Sequence, residues 1–448
     1  MVLMNKTNFK RRDFFKSSLA TAGILASGSF SGCTDKEDPG NSSRFRNHPL
    51  DGLEKENIKV VDLKVTLLSF ELPPNEQWYL DWIPERYKCW KTDSILVEVF
   101  TDAGIKGIGG ATQYGGPFGV KEYLEKTIKP AIMGKNPFDI DFLTSGVLQR
   151  GPMVGWAGVD AAFWDIIGKV KGIPVYQLLA IDHEPNPRIP VYASAGEMYD
   201  GDIWPDNLIE EALKLKGEGF KAYKFRPGTH WSVSGMTMTD YIDGVWKIRD
   251  AVGPEFGLIQ ECNAQWNMEQ TMQFIPEAEK MKLIWIEDPT RRVGPQAKEN
   301  YIKIKEALND VKLSYGGDVM DNRFHYKEWI DRNAMDIVQP DAGVMGLTES
   351  WYVSRMANLN GQLCAPHNWH GALLTIANGH LAAGIPNLIM LETNQTFNPL
   401  RTELLKEPLV IKDSYIQLPD KPGFGVEVID DAAERFPFIP GTYDRPKP

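Results

Sequence analysis

Leu283-Ile-Trp-Ile-Glu-Asp-Pro289 is a short apolar strand that runs straight into a carboxylate, and the same design recurs on both sides of it. Upstream lie Ala222-Tyr-Lys-Phe225 and Gly257-Leu-Ile-Gln260, the latter followed at once by Glu261. Downstream come Leu313-Ser-Tyr315 before Asp318, Ile337-Val-Gln339 before Asp341, Leu363-Cys-Ala365 before His367, and Leu388-Ile-Met-Leu391 before Glu392. From Glu261 to Glu392 the successive separations of these six polar residues are 26, 31, 23, 26 and 25. Each is about the length of one strand-loop-helix-loop unit. The pattern predicts parallel strands with helical crossovers from Arg188 onward, an α/β chain closed as a (β/α)8 barrel. All six residues would then face the mouth formed by the C-terminal strand ends.

The segments flanking this repeat read differently. Ile58 to Phe70 and Ser94 to Thr101 alternate in strand fashion around the turn-like Asp102-Ala-Gly-Ile105, and helical patterns follow to about Leu179. Residues 58–187 are therefore expected to form a small α+β domain, residues 188–393 the barrel, and residues 394–448 a segment that returns to the small domain. Residues 1–33 carry an export signal: Arg11-Arg12, the apolar, glycine-broken stretch Leu19 to Phe30, and Gly32-Cys33 stand in the order that export requires. Asn8 to Lys16 resembles a twin-arginine signal, and Phe30-Ser-Gly-Cys33 a lipobox that would leave Cys33 lipidated. Residues 34–57, polar and containing Pro and Gly, read as a tether, with order beginning near Ile58. The expected location is the periplasm or the membrane surface.

Only Cys89, Cys262 and Cys364 lie beyond that signal, widely spaced and odd in number, which argues against a disulfide framework. The first 32 residues carry net +4, five basic against one acidic, leaving −15 on the remainder of a chain whose total is −11. Such a surface disfavours nucleic acid, and an anionic substrate would need a local cation in its pocket.

The mouth residues suggest what that cation is. Glu261, Glu287 and Asp318, at the ends of consecutive strands, suit a hard, oxygen-seeking divalent ion such as Mg2+ with positions left for substrate oxygens. Singly, each would be read as a surface cap or an ion pair; three in register argue otherwise. A cation there lowers the barrier to removing a proton next to a carboxylate, because charge doubles in the enediolate. His367 would be the base and Asp341, on the neighbouring strand, would fix its tautomer. Lys224 and Arg226, two apart on one strand, share an inward face and would meet the substrate carboxylate. Glu392 would either hydrogen-bond the enediolate as an acid or orient a neighbour.

Longer motifs add a family resemblance. Val159-Asp-Ala-Ala-Phe-Trp-Asp-Ile-Ile-Gly-Lys169, Pro174-Val-Tyr-Gln-Leu-Leu179, Glu261-Cys-Asn-Ala-Gln-Trp266, Ile286-Glu-Asp-Pro289, Gly316-Gly-Asp318, Asp336-Ile-Val-Gln-Pro-Asp341 and Pro422-Gly-Phe-Gly-Val-Glu427 resemble, in order, the mandelate racemase subgroup of the enolase superfamily. The likeness runs from Ile58 to Glu434. It implies a modified (β/α)7β barrel under a cap built from both ends of the chain, one Mg2+ per subunit on Glu261, Glu287 and Asp318, an Asp341–His367 dyad, Glu392 as the strand-eight acid, and a homo-oligomer.

Two departures shape the expected activity. Glu261 stands where Asp is usual. The usual Lys-x-Lys reads Lys224-Phe-Arg226, so the second Lys is replaced by a residue that stays protonated. One-base chemistry then fits better than a two-base racemase: His367 takes the α-proton and returns it to a departing β-hydroxyl, as in an acid-sugar dehydratase. A racemase or epimerase using Lys224 with His367, and a lipid-anchored sugar-acid binding protein without turnover, are the alternatives. Trp78, Tyr79, Tyr114 and Asn263 are expected to line the substrate, together with His370; both His370 and His230 lie near loops over the mouth, where the plain reading is a solvent-facing side chain and the sharper one an extra acid.

Overall fold

The structure, a computed structural model, describes residues 47–85, 87–112, 116–144, 155–197, 204–227, 230–316 and 322–443. The expected export signal, Cys33 and the first part of the expected tether lie outside the described residues, as do Tyr114 and Asp318.

The cap begins with two long strands whose alternating patterns pair antiparallel, Val60–Glu71 against Lys91–Thr101, from Asp62 opposite Phe100 to Glu71 opposite Lys91. A third strand, Lys106–Ala111, turns back through Gly104 in the left-handed region (φ 73°). Helix Trp156–Lys171 lies across this sheet with its first thirteen residues buried. Contact is backbone to backbone: a Cβ on Gly109 would sit 2.0 Å from the carbonyl oxygen of Gly158, and one on Gly107 2.1 Å from that of Ala162.

The same helix ties the cap to the barrel. Trp164 Nε1 donates to Thr348 Oγ1 (2.9 Å), which in turn donates to the buried Asp160 (2.6 Å). Asp165 accepts from Ile108 N (2.9 Å) and Phe424 N (2.8 Å), joining sheet, helix and C-terminal segment at one carboxylate. Beside it, His380 Nδ1 accepts from Tyr176 N at 3.1 Å, and Nε2 donates to Phe424 O at 3.2 Å. Burial pushes this imidazole down to about 3, so it is a neutral structural link. Further on, Phe436 O accepts from Ser69 N, and Ile439 O and Thr442 O accept from Lys91 Nζ and Trp90 Nε1, so the end of the chain runs along the cap strands.

The barrel strands are Arg188–Ser194, Ala222–Phe225, Gly257–Glu261, Trp285–Glu287, Lys312–Tyr315, Ile337–Val338, Leu363–Cys364 and Leu391–Asn394. Each pairs parallel with the next as far as the seventh, and the eighth closes on the first with Leu391 opposite Val191. Seven helices of nine to fifteen residues separate them. The chain is thus an α/β barrel with an α+β cap. The eighth strand starts three residues later than its apolar run suggests, because Leu388 bridges Cys364 of the seventh strand before the chain crosses to the first.

Inside the barrel Tyr192, Ala222, Ile259, Trp285, Ile337 and Ala365 form a closed apolar layer, with Met390 packed on it. Side chains two residues apart on a strand point the same way. The next layer is therefore Ser194, Lys224, Glu261, Glu287, Gln339, His367 and Glu392, and the apolar plug is what lifts these polar groups to the mouth.

Residues 47–57, expected to be tether, pack against the fold. His48 is buried against Trp164, Trp351 and Tyr352, and its backbone N–H and that of Asn47 donate to Asp51 (2.9 Å each). The fixed chain reaches upstream of Ile58 to include this histidine, because an aromatic slot between cap and barrel helices receives it.

Replacing Gly109 with Ala forces two backbones apart and should destabilise the fold by about 2–3 kcal/mol, the upper range for overpacking. Thermal unfolding followed by circular dichroism measures it; an unchanged melting temperature would show that the helix does not rest on the sheet in this way.

Candidate active site

Lys224 stands at the centre of the mouth. Its ammonium lies 2.6 Å from Glu287 Oε1, 2.8 Å from Glu392 Oε1 and 3.5 Å from Glu261 Oε2, and all four side chains are at least nine-tenths buried. Burial alone would push this lysine down, but Glu287 and then Glu392 outweigh it and hold it well above its usual value. It is a fixed cation.

One ammonium does not balance three carboxylates. The deficit falls on Glu261, whose carboxyl is driven well above the usual range by burial and by repulsion from Glu287. Against the same burial, Glu287 is held below that range by Lys224, by hydrogen bonding with Glu261 and by Gln339 Nε2 at 2.8 Å. Glu392 is likewise held down, burial being outweighed by Lys224 and His367, and its Oε2 accepts from Asn368 N at 2.8 Å. It is ionised and orients the loop that carries His367.

Across the mouth, His367 Nδ1 lies 2.7 Å from Asp341 Oδ2, and its Nε2 lies 3.9 Å from Glu392 Oε2. The other oxygen of Asp341 accepts from Gly343 N (2.8 Å) and Asn378 Nδ2 (3.0 Å). Burial acts upward on this carboxyl, but the two histidines beside it hold it far below the usual range. An ionised carboxylate only accepts, so a neutral His367 must carry its proton on Nδ1 and present the Nε2 lone pair.

The remaining expected residues divide. Arg226 faces inward as Lys224 does, but its Nη1 lies 2.5 Å from Glu197 Oε1, and Nη2 donates to Ser194 Oγ at 3.1 Å. Its plane covers Trp369 at 4.7 Å, and Trp369 in turn meets Trp78. Trp78 thus packs cap against mouth, and Tyr79 docks through its backbone, N to Glu197 O at 2.9 Å. Asn263, in the left-handed region (φ 48°), donates its N–H to Glu261 Oε1 at 2.6 Å and its side chain to Asp81 at 2.8 Å. It aims a mouth carboxylate rather than standing free. His230 caps a short helix, accepting from Ser232 N. His370, read as solvent-facing, is buried, with Nε2 2.6 Å from Asp341 Oδ2. The loop over the mouth tucks under the cap there.

Two acids were missed. Glu197 is raised to about 8 by burial, against the pull of Arg226. Asp81, from the cap, is also raised by burial, against the attraction of the same guanidinium. Neither sits on a periodic strand end, and only the neighbouring Trp78-Tyr79 marked the loop that carries Asp81.

Family models match both parts of this architecture: one described as "Mandelate racemase / muconate lactonizing enzyme, N-terminal domain" over residues 88–180, and one described as "Enolase C-terminal domain-like" over residues 207–432. The chain belongs to the enolase superfamily. Among its relatives, an arabinonate dehydratase from Saccharolobus solfataricus is 26% identical over 353 residues, covering 76% of this chain and 90% of the relative. A D-xylonate dehydratase from Haloferax volcanii is 27% identical over 360 residues, covering 76% and 84%. The crystal structure of the 3,6-anhydro-D-galactonate cycloisomerase from Zobellia galactanivorans superimposes with a TM-score of 0.69 at 24% identity, covering 84% of this chain and 99% of that one, a likeness of fold.

Enolase superfamily members generally bind Mg2+, and the charge deficit at Glu261, Glu287 and Glu392 fits a further cation. Of the expected ligands, the structure brings Glu261 and Glu287 together. Asp341, His367 and His370 also cluster, with ligand atoms within 4.8 Å of one another. Their N–O separations of 2.6 and 2.7 Å are hydrogen-bond lengths, shorter than the roughly 3.4 Å between two ligands on a tetrahedral ion with bonds of about 2.1 Å.

Mg2+ should therefore raise the melting temperature of the wild-type protein, by an amount equivalent to about 2.7 kcal/mol at one hundred times its dissociation constant. Glu261→Gln with Glu287→Gln should abolish the response. An undiminished response in the double variant would move the ion elsewhere.

Proposed function

We propose that this enzyme dehydrates a sugar acid by Mg2+-dependent removal of the proton α to its carboxylate, with His367 as base and then acid. The observation that carries the reading is the dyad: Asp341 fixes the His367 tautomer at 2.7 Å and leaves Nε2 facing the carboxylate and ammonium cluster. The names of the two dehydratase relatives support it, and so does the residue chemistry.

When bound, Mg2+ supplies positive charge to a carboxylate whose charge doubles on deprotonation. Glu261 and Glu287, with Asp318, would hold it. His367 Nε2 takes the α-proton, and the C–H electron pair moves into the carboxylate to give the enediolate. That pair then returns as the carbon–carbon double bond while the β C–O bond breaks. The departing hydroxide takes the proton from Nε2 and leaves as water, so one histidine is restored in one turnover. The enol tautomerises to the 2-keto-3-deoxy acid. Asp341 stabilises the imidazolium between the two transfers, and Lys224 and Arg226 supply fixed positive charge on the substrate-carboxylate side.

Arg226 weighs against two-base racemisation, because a guanidinium held above its usual value by Glu197 and Asp81, despite burial, does not accept a proton. Lys224, pinned between carboxylates, is equally unsuited to be a base. Export by the twin-arginine route with a lipid on Cys33, and assembly as a homo-oligomer, belong to the same proposal; the order of Arg11-Arg12, the apolar stretch and Gly32-Cys33 supports the export part.

Incubating a panel of sugar acids with Mg2+ in D2O should give a 2-keto-3-deoxy product from at least one of them. His367→Asn should reduce α-proton removal by at least about 10³-fold, within the range for loss of a general base, while the Mg2+ melting response survives. Retained turnover in His367→Asn would refute the assigned base; deuterium at the α-carbon of recovered substrate without water loss would favour a racemase or epimerase.

A further inference from the structure

Asp341 holds two histidines, and the chemistry above uses only one. Its Oδ2 receives His367 Nδ1 at 2.7 Å and His370 Nε2 at 2.6 Å, while Oδ1 receives Gly343 N and Asn378 Nδ2. Four donors saturate the carboxylate. The two rings meet edge to face with centroids 5.8 Å apart, and the side chain of His370 is 4% exposed against 25% for His367. One ring is therefore open to the mouth and the other is sealed beneath the cap.

We propose that His370 is a positioning residue: by donating its Nε2 proton to the same oxygen that holds His367, it orients Asp341 and limits how tightly that carboxylate keeps a proton on the base. The inference rests on the reading of His367 as the base.

The need for such a brake follows from the neighbours of His367. Asp341 and Glu392 are two carboxylates beside one imidazole, opposed by Lys224, which Glu392 also holds. Burial works against the imidazolium, yet the carboxylates win and His367 is raised above its ordinary value of 6.5. A base that kept its proton more tightly still would be a poor acid in the second half of the reaction. A second donor on Oδ2 spreads the charge of Asp341 over two imidazoles. On the cap side His370 shares a cavity with Cys89, Lys91, Asp93 and Tyr443. There Lys91 is paired with Asp93 at 2.9 Å, so the charge facing His370 from the cap is internally balanced.

Because Asp341 can only accept, the geometry fixes both tautomers: His367 carries Nδ1–H and His370 carries Nε2–H. Histidine-selective NMR of the metal-free full chain reads this without turnover. His367 is assigned by its loss in His367→Asn. In the wild type, two hydrogen-bonded imidazole protons, one Nδ1–H and one Nε2–H, should both vanish in Asp341→Asn. In His370→Leu the titration midpoint of His367 should rise by about 0.5–1 unit, the scale of losing one hydrogen bond to a carboxylate. His370→Gln, whose amide keeps a donor, should restore the wild-type midpoint. An unchanged midpoint in His370→Leu, or an equal rise in His370→Gln, overturns the proposal. Should His370→Leu fail to fold, the loss of only one hydrogen-bonded imidazole proton from the wild-type set in Asp341→Asn overturns it instead, the His380 proton on Phe424 O remaining in both. Failure here leaves the dehydration assay untouched, and failure of that assay leaves this titration readable, so the two readings separate.

Discussion

More negative charge is buried at the barrel mouth than the protein itself neutralises. Glu261, Glu287 and Glu392 close around the single ammonium of Lys224, and the imbalance drives the Glu261 carboxyl well above its usual range. Burying such a cluster is unfavourable unless cations offset it. The surrounding structure is arranged so that it persists: Gln339 and Trp285 donate to Glu287, Asn263 N–H to Glu261 and Asn368 N–H to Glu392. Each of these donors is itself held in place, by a barrel strand, a left-handed turn or the loop behind His367. A further cation binding there meets a preorganised set of oxygens and costs little rearrangement.

The pleat supplies the second constraint. An apolar layer headed by Tyr192 and Trp285 plugs the barrel, and the residues two positions onward form the polar layer above it. Acid, cation and imidazole thus reach one rim from strands far apart in sequence. The cap closes over that rim by aromatic contact, with Trp369 between Trp78 and Arg226, and by Asp81 reaching Asn263. Its own anchorage is remote: the Gly107 and Gly109 approach to the cap helix, and the links from Asp165 and His380 to the C-terminal segment.

Much of this was legible in the sequence because it repeats. Strand ends that recur every 23 to 31 residues give the barrel and name Glu261, Glu287, Asp341, His367 and Glu392 together. What lacked a period was lost. Leu388-Ile-Met-Leu391 is apolar throughout, so nothing in it marks where one strand neighbour is exchanged for another, and the eighth strand starts three residues late. Glu197 and Asp81 are single acids in loops, identical in sequence to solvated ones; only Arg226 beneath them makes them part of the site. The stretch around His48 read as tether although the histidine itself reads as structural, because its partners, Trp164, Trp351 and Tyr352, come from elements more than a hundred residues away. His370 looked exposed for the same reason: the cap strands that cover it are nearly three hundred residues upstream.

The central claim is that the mouth carboxylates hold a divalent ion that the lysine alone does not replace. Crystals grown with Mn2+ in place of Mg2+ test it directly, through the anomalous signal of the metal. One peak bonded to Glu261 and Glu287 at about 2.1–2.3 Å, in the range for a hard cation on carboxylate oxygens, is the predicted result. A peak on Asp341, His367 and His370 instead, or none with Lys224 still seated between Glu287 and Glu392, would contradict it.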